Sequence, residues 1–151
     1  MSYLIDTNVL LRLRDSADPR YHESVAAIEL LRGQSERLFV CAQILAEFWV
    51  VLTRPCNVNG CGLAFDDAVT SIGKVRVAFH CLTEPPDIAD RWQRVVIDNK
   101  AMGKQAHDAR IAALMLAHGI THILTLNPGD FTRYRYITPI TPKELVHQSA
   151  T

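Results

Sequence analysis

Asp6, Glu47 and Asp108 are three acids set against apolar segments of the chain, each far from the others in sequence. Asp6 follows Tyr3-Leu4-Ile5 in LIDTNVLL, Glu47 interrupts AQILAEFWVVLTRP, and Asp108 opens the run HDARIAALMLAHG. A fourth polar pair, Asn127 and Asp130, follows HILTL in LTLNPGDF. A carboxylate held against a core segment costs on the order of several kcal/mol unless its charge is compensated. No Lys or Arg directly flanks Asp6 or Glu47. The economical compensation is a fold that gathers the acids around a hard divalent cation, for which carboxylate oxygens are suitable ligands. The chemistry such a site supports is metal-assisted hydrolysis of a phosphodiester, in which the cation acidifies a water and stabilises the leaving oxygen.

Each acid also has a plain structural explanation. Asp6 suits a helix cap, and Asp108, in the first turn of a helix, complements the macrodipole. Glu47 is harder to explain this way, because Ile44, Leu45, Phe48, Val51 and Leu52 leave its helix little polar face, and an unpaired Glu is seldom buried without a reason. The three together weigh towards one site. Asn127 fits the turn signal Asn-Pro-Gly, and Asp130 fits a cap of the turn that follows. His107 reads as a neighbour of the site, since a cation-activated water needs no histidine base. Arg12, Arg14, Lys100, Lys104, Arg110, Arg133 and Arg135 are candidates for phosphate contact, with a solvated charge as the default for each. Trp49 and Trp92 read as core or interface residues.

The elements that must position these acids alternate between strand-like and helix-like runs, which predicts an α/β fold with a largely parallel sheet. Strands are expected at Tyr3 to Asp6, Leu38 to Cys41, His80 to Leu82, Thr121 to Leu126 and Tyr136 to Thr138. Helices are expected through NVLLRLR after an Asp6 or Thr7 cap, then at Tyr21 to Arg32 with Gly33 ending it, Ala42 to Thr53 stopped by Pro55, Phe65 to Phe79, Asp87 to Asn99, Asp108 to His118 ended by Gly119, and Pro142 to His147. Lys100 to Gln105 reads as a loop approaching the site. Sites in open parallel sheets form beyond the carboxyl ends of strands. Asp6 and Asn127 fall at such ends, Asp108 in a first helical turn and Glu47 inside a helix, so the four can converge on one edge.

With 151 residues, 48% of them hydrophobic, the chain suits a single domain with a sizeable core and is marginal for two. Sixteen basic residues balance sixteen acidic ones, so there is no global attraction to nucleic acid. A nucleic-acid ligand would need a local basic patch and a metal. Cys41, Cys56, Cys61 and Cys81 follow an opening, MSYLIDT, that reads as a strand ending in an acid rather than a signal peptide. A cytoplasmic protein with reduced thiols is the expectation. Cys56, Cys61, His80 and Cys81 match no common zinc spacing. No apolar run reaches the roughly 20 residues of a membrane span.

Read together, these motifs resemble PIN-domain proteins, and more narrowly the ribonuclease toxins of the VapBC toxin–antitoxin family. The likeness is carried by LIDTNVLL, by AEFWVVLTRP and by HDARIAALMLAHGITHILTLNPGDF, and covers almost the whole chain as one domain, residues 1–151. It implies a three-layer α/β/α sandwich with acids clustered around Mg²⁺ or Mn²⁺. By position, Asp6, Glu47 and Asp108 match the three most regular acids, and Thr7, Asn8 and Thr125 match polar residues that orient them. Asn127 stands where Asp is frequent; it offers a neutral carbonyl oxygen, and Asp130 would supply the missing charge. The resemblance further implies an RNA substrate, a homodimer and an antitoxin partner whose inserted Arg pairs with the carboxylates. Three other readings stay open: an orphan PIN nuclease in RNA processing or repair, a phosphotransferase with Asp6 as nucleophile (against which position 8 is Asn rather than a second Asp), and a non-catalytic nucleic-acid-binding module.

Overall fold

Tyr3, Leu4 and Ile5 are all buried, as a strand covered on both faces must be. In the computed structural model, which describes residues 1–151, they belong to β1 (Ser2–Ile5), the central strand of a five-stranded sheet. The other strands are β2 (Arg37–Cys41), β3 (His80–Leu82), β4 (His122–Leu124) and β5 (Thr138–Ile140), in the order β3-β2-β1-β4-β5. Every pairing is parallel, with Leu4 registered against Phe39 on one side and Ile123 on the other.

Helices make every crossover. α1 (Thr7–Leu13) and α2 (Tyr21–Gly33) join β1 to β2; α3 (Ala42–Thr53) and α4 (Phe65–Ala78) join β2 to β3; α5 (Ile88–Asn99) and α6 (Gln105–Ala117) join β3 to β4; α7 (Pro142–Ser149) closes the chain. Right-handed crossovers place the first two helix pairs on one face of the sheet and the third, which runs back across it, on the other. α7 packs against α2, and α5 packs against α6. The expected three-layer α/β/α sandwich results. No helix is long and apolar enough to cross a membrane.

The strand order reverses beside β1, because the chain steps outward through β2 to β3 and then returns to the far side of β1 as β4. At such a switch point neighbouring crossovers leave on opposite faces and a crevice opens beyond the strand ends. Asp6 follows β1 and Thr125 follows β4, so both stand at that crevice.

Most elements fall where the sequence predicts them, and the exceptions have tertiary causes. α6 begins at Gln105, three residues before Asp108, because Gln105 Oε1 accepts the Met102 N–H and backbone bonds from Gln105, Ala106 and His107 reach Met102, Gly103 and Lys104. β5 runs over Thr138–Ile140 rather than Tyr136 to Thr138, since the Ile137 N–H is committed to the Tyr134 carbonyl and pairing starts with Thr138 on Thr121. β4 stops at Leu124, two residues short of Leu126, because the Leu126 and Asn127 N–H groups turn to the side chains of Asn8 and Thr125. Gly33 lies within α2, and Ser35 takes the left-handed conformation instead, at φ 59°. Gly119 does end α6, at φ +66°.

α7 carries a complete capping box: the Thr141 hydroxyl accepts from the Glu144 N–H, and the Glu144 carboxylate accepts from the Thr141 N–H. Thr141→Ala is expected to cost about 1 kcal/mol and to lower the melting temperature by about 2–4 °C. An unchanged melt would assign the anchorage of α7 to its packing on α2 alone.

Candidate active site

Among buried residues the polar or charged ones are Asp6, Thr7, Ser24 and Thr125, and all but Ser24 meet at the crevice between β1 and β4. Asp6 caps α1 and is 9% exposed. Its Oδ1 accepts the Thr7 N–H at 2.8 Å and its Oδ2 accepts the Thr125 hydroxyl at 2.7 Å. Thr125 is itself fixed, accepting from Asn8 Nδ2 at 3.3 Å and from the Asn127 N–H at 3.1 Å. Asn8 Oδ1 accepts the Leu126 N–H at 3.0 Å, which ties α1 to the segment after β4.

Glu47 reaches the same crevice from α3, whose buried side is Ile44, Leu45, Phe48 and Leu52. The Thr7 hydroxyl donates to Glu47 Oε2 at 3.0 Å, and Gln43 Nε2 donates to Glu47 Oε1 at 3.1 Å. Asp108 enters from the first turn of α6, a helix sunk in the core through Ala109 and Ile111 to Met115. Three consecutive carbonyls of that turn receive side-chain donors from elsewhere: Gln105 from the Tyr134 hydroxyl at 3.3 Å, Ala106 from Trp92 Nε1 at 2.8 Å, and His107 from Gln43 Nε2 at 2.9 Å. Asp108 is thus carried on a turn clamped on three sides, while its own carboxylate makes no hydrogen bond.

The charges of these acids act on one another. Burial is the largest influence on Asp6; the Thr125 and Thr7 hydrogen bonds oppose it, the charges of Glu47 and Asp130 add to it, and the pKa rises to about 6. Asp108 is pushed up to about 7, first by burial and then by the charges of Asp130, Asp6 and Glu47, with Arg133 acting against them. The ion pairs of the protein are Met1–Glu36, Arg12–Asp18, Arg91–Asp87 and Arg110–Glu84, so none of the four acids has one. Of the basic residues considered for phosphate contact, Arg12 and Arg110 are committed to those pairs. Arg133 is the one whose charge acts on Asp108.

Asp130 and Asn127 divide the fourth position between them. Asp130 ends the short turn Pro128–Asp130, and its charge acts on both Asp6 and Asp108. Asn127 is exposed and contributes its backbone N–H to Thr125, while its side chain makes no hydrogen bond. His107 is exposed and serves through its carbonyl. The four cysteines are free thiols. No three His, Cys, Asp or Glu side chains close on one point as an all-protein cage would. The donor set nonetheless fits a hard cation such as Mg²⁺, which keeps several of its waters and takes only one or two carboxylates. Gln43 is the residue that sequence reading missed; its spacing of four from Glu47 was the available signal.

Residues 3–135 match the family model of the PIN domain. Solved structures similar to this chain include VapBC2 from Rickettsia felis bound to a DNA fragment from its promoter, at 13% identity and TM-score 0.71, covering 93% of this chain and 98% of that one. DNA-bound VapBC from Salmonella typhimurium is 14% identical with TM-score 0.71, over 94% and 98% of the two chains. VapC20 from Mycobacterium tuberculosis, described as a sarcin-ricin loop cleaving toxin, is 18% identical with TM-score 0.62, over 89% and 96%. At these identities the likeness is one of fold. No curated protein sequence matches the chain.

Proposed function

Because the chain belongs to the PIN domain family, we propose that it is a divalent-cation-dependent nuclease that hydrolyses RNA phosphodiesters, working in the cytoplasm as the toxin of a toxin–antitoxin pair. The observation that carries this reading is a set of four acids about the switch-point crevice whose charges act on one another and which have no ion-pair partner. Burial first, and the neighbouring acids after it, raise Asp6 to about 6 and Asp108 to about 7, so ionising both leaves charge that a cation would offset.

In this reading Asp6 and Asp108 would hold Mg²⁺ or Mn²⁺, with Glu47 and Asp130 helping directly or through bound water. A bound cation would neutralise charge building on the phosphodiester and make a water acidic enough to attack it. The chain's own residues do the rest. Thr125 and the Thr7 N–H keep both oxygens of Asp6 in one orientation, the Thr7 hydroxyl does the same for Glu47, and Asn8 holds Thr125 in place. Asp130 takes the charge of the fourth position, Asn127 offers a neutral carbonyl oxygen beside it, and Arg133 is placed to meet a phosphate.

The toxin reading draws on the neighbours of known fold, which include VapBC complexes. It draws also on a groove of about 560 Å³ between α1, α2, α3 and α4, lined by Leu13, Val25, Ile28, Phe48 and Phe79. That groove would take an apolar segment of a cognate antitoxin, and the active form would be a homodimer.

Purified protein incubated with structured and single-stranded RNA is expected to cleave with Mn²⁺ or Mg²⁺ and to stop when EDTA removes the cation. Cleavage that survives EDTA would overturn the cation dependence. Intact RNA, together with no Mn²⁺ uptake in a direct titration, would overturn the nuclease reading itself.

A further inference from the structure

Gln43 precedes Glu47 by one helical turn on α3, so the two side chains share a face. Its Nε2 donates both to Glu47 Oε1, at 3.1 Å, and to the His107 carbonyl, at 2.9 Å. A primary amide has two N–H donors, and here both meet pure acceptors: a carboxylate oxygen and a main-chain carbonyl. Turned over, the amide would set its own oxygen against those acceptors, so the partners fix its orientation. Gln43 Oε1 is buried and accepts no hydrogen bond. The amide therefore leaves its own acceptor unsatisfied while both of its N–H groups are engaged.

The Thr7 hydroxyl occupies the other oxygen of Glu47. Held at both oxygens, the carboxylate has one orientation, and the bond to His107 refers that orientation to the turn carrying Asp108. Trp92 and Tyr134 grip the same turn through Ala106 and Gln105 but make no hydrogen bond to a site acid. Of these three side chains, Gln43 is the one that joins a site acid on α3 to the backbone beside a site acid on α6.

We infer that Gln43 is a positioning residue, which ties Glu47 to the α6 turn and so sets the placement of the Glu47 carboxylate relative to Asp108 for a divalent cation. This rests on the reading of the four acids as a cation site. Gln43→Met keeps the length of the side chain and removes its donors; Gln43→Asn keeps the amide on an arm too short to span both partners. Both are made in the full chain, and Mn²⁺ is titrated into metal-free protein by water-proton relaxation, with thermal melts alongside. Gln43→Met is expected to weaken Mn²⁺ binding by about tenfold with the metal-free melting temperature unchanged, and Gln43→Asn by a smaller factor. In a Glu47→Ala background, Gln43→Met is expected to change the affinity little, because it acts through Glu47.

Wild-type affinity in Gln43→Met overturns the inference, as does equal weakening in the Glu47→Ala background. A lowered metal-free melt with unchanged Mn²⁺ affinity also overturns it, since that is the signature of a helix–helix staple. If Gln43→Met fails to fold, Gln43→Asn carries the same comparison. A wild-type protein that takes up no Mn²⁺ overturns the reading of the site, and this inference with it.

Discussion

Asp6→Asn is expected to lose RNA cleavage by on the order of a hundredfold or more, while metal-free protein at pH 8 becomes no less stable and gains up to about 1 kcal/mol. The two effects have one source. At pH 8 the wild-type Asp6 is ionised although burial has lifted its pKa from 3.8 to about 6, a shift of roughly two units, equivalent to about 3 kcal/mol at most. Asparagine removes that charge. Its oxygen can still accept the Thr7 N–H, since its amide nitrogen there would oppose another donor. The nitrogen is then left facing Thr125 Oγ, which already accepts from Asn8 and Asn127. The rise to about 6 already includes the bond from the Thr125 hydroxyl, so the further cost is that of leaving this hydroxyl and the new amide nitrogen unpaired, about 1–3 kcal/mol. The relief of charge and this cost nearly cancel, with the balance slightly favourable.

Nothing comparable offsets the loss in catalysis. A cation ligand supports transition-state charge worth several kcal/mol, and about 3 kcal/mol is already a hundredfold in rate. Cleavage assays and thermal melts on the same preparation check both halves. An Asp6→Asn protein that cleaves like wild type would remove Asp6 from the site. One that unfolds would show the acid to be kept for its capping of α1 rather than for chemistry. A protein that carries a stability cost at a functional group and loses it on mutation follows the general trade between stability and activity.

How much of this site could be read from the chain depends on how local each signal is. Asp6, Glu47 and Asp108 stand out because an acid abutting an apolar run is visible within a few residues, and α3 lies where its apolar run and Pro55 place it. The start of α6 was not visible, because it is set by the hydrogen bond from Met102 to Gln105 and by donors from Tyr134, Trp92 and Gln43, the last of these 64 residues from His107. β5 was misplaced by two residues for the same kind of reason. An edge strand takes its register from its neighbour, and Tyr136 and Ile137, apolar enough for a strand, are held in a turn by Tyr134. The Thr7–Glu47 bond spans 40 positions, and the parallel pairing of β1 with β2 brings its ends together. Sequence thus revealed which acids lack compensation, and the fold revealed what holds them.

The stability of metal-free protein is expected to fall as pH rises from about 4 to about 7, and a divalent cation is expected to restore it only at the upper end. Asp6 and Asp108 both hold their protons more tightly in the folded protein, at about 6 and about 7, than at their ordinary value of 3.8. Between those limits the folded state binds more protons than the unfolded chain, so the free energy of unfolding decreases with pH. The contribution is full below the unfolded value and gone once pH passes the folded values. Asp6 supplies most of it; Asp108 is half-buried, and solvent screening discounts its share. At pH 8 both acids are ionised, close to Glu47 and Asp130, and a cation that binds the folded site offsets that repulsion by mass action. At pH 5 the cation must displace protons and binds weakly. Urea midpoints at pH 5 and pH 8, each in EDTA and in excess Mn²⁺, separate the contributions. In EDTA the midpoint should be lower at pH 8, and Mn²⁺ should raise it there by more than at pH 5. Equal stabilisation at both pH values would place the cation away from these acids. A midpoint that rises towards pH 8 in EDTA would mean that the carboxylates are already compensated within the fold, leaving no unbalanced charge for a cation to meet.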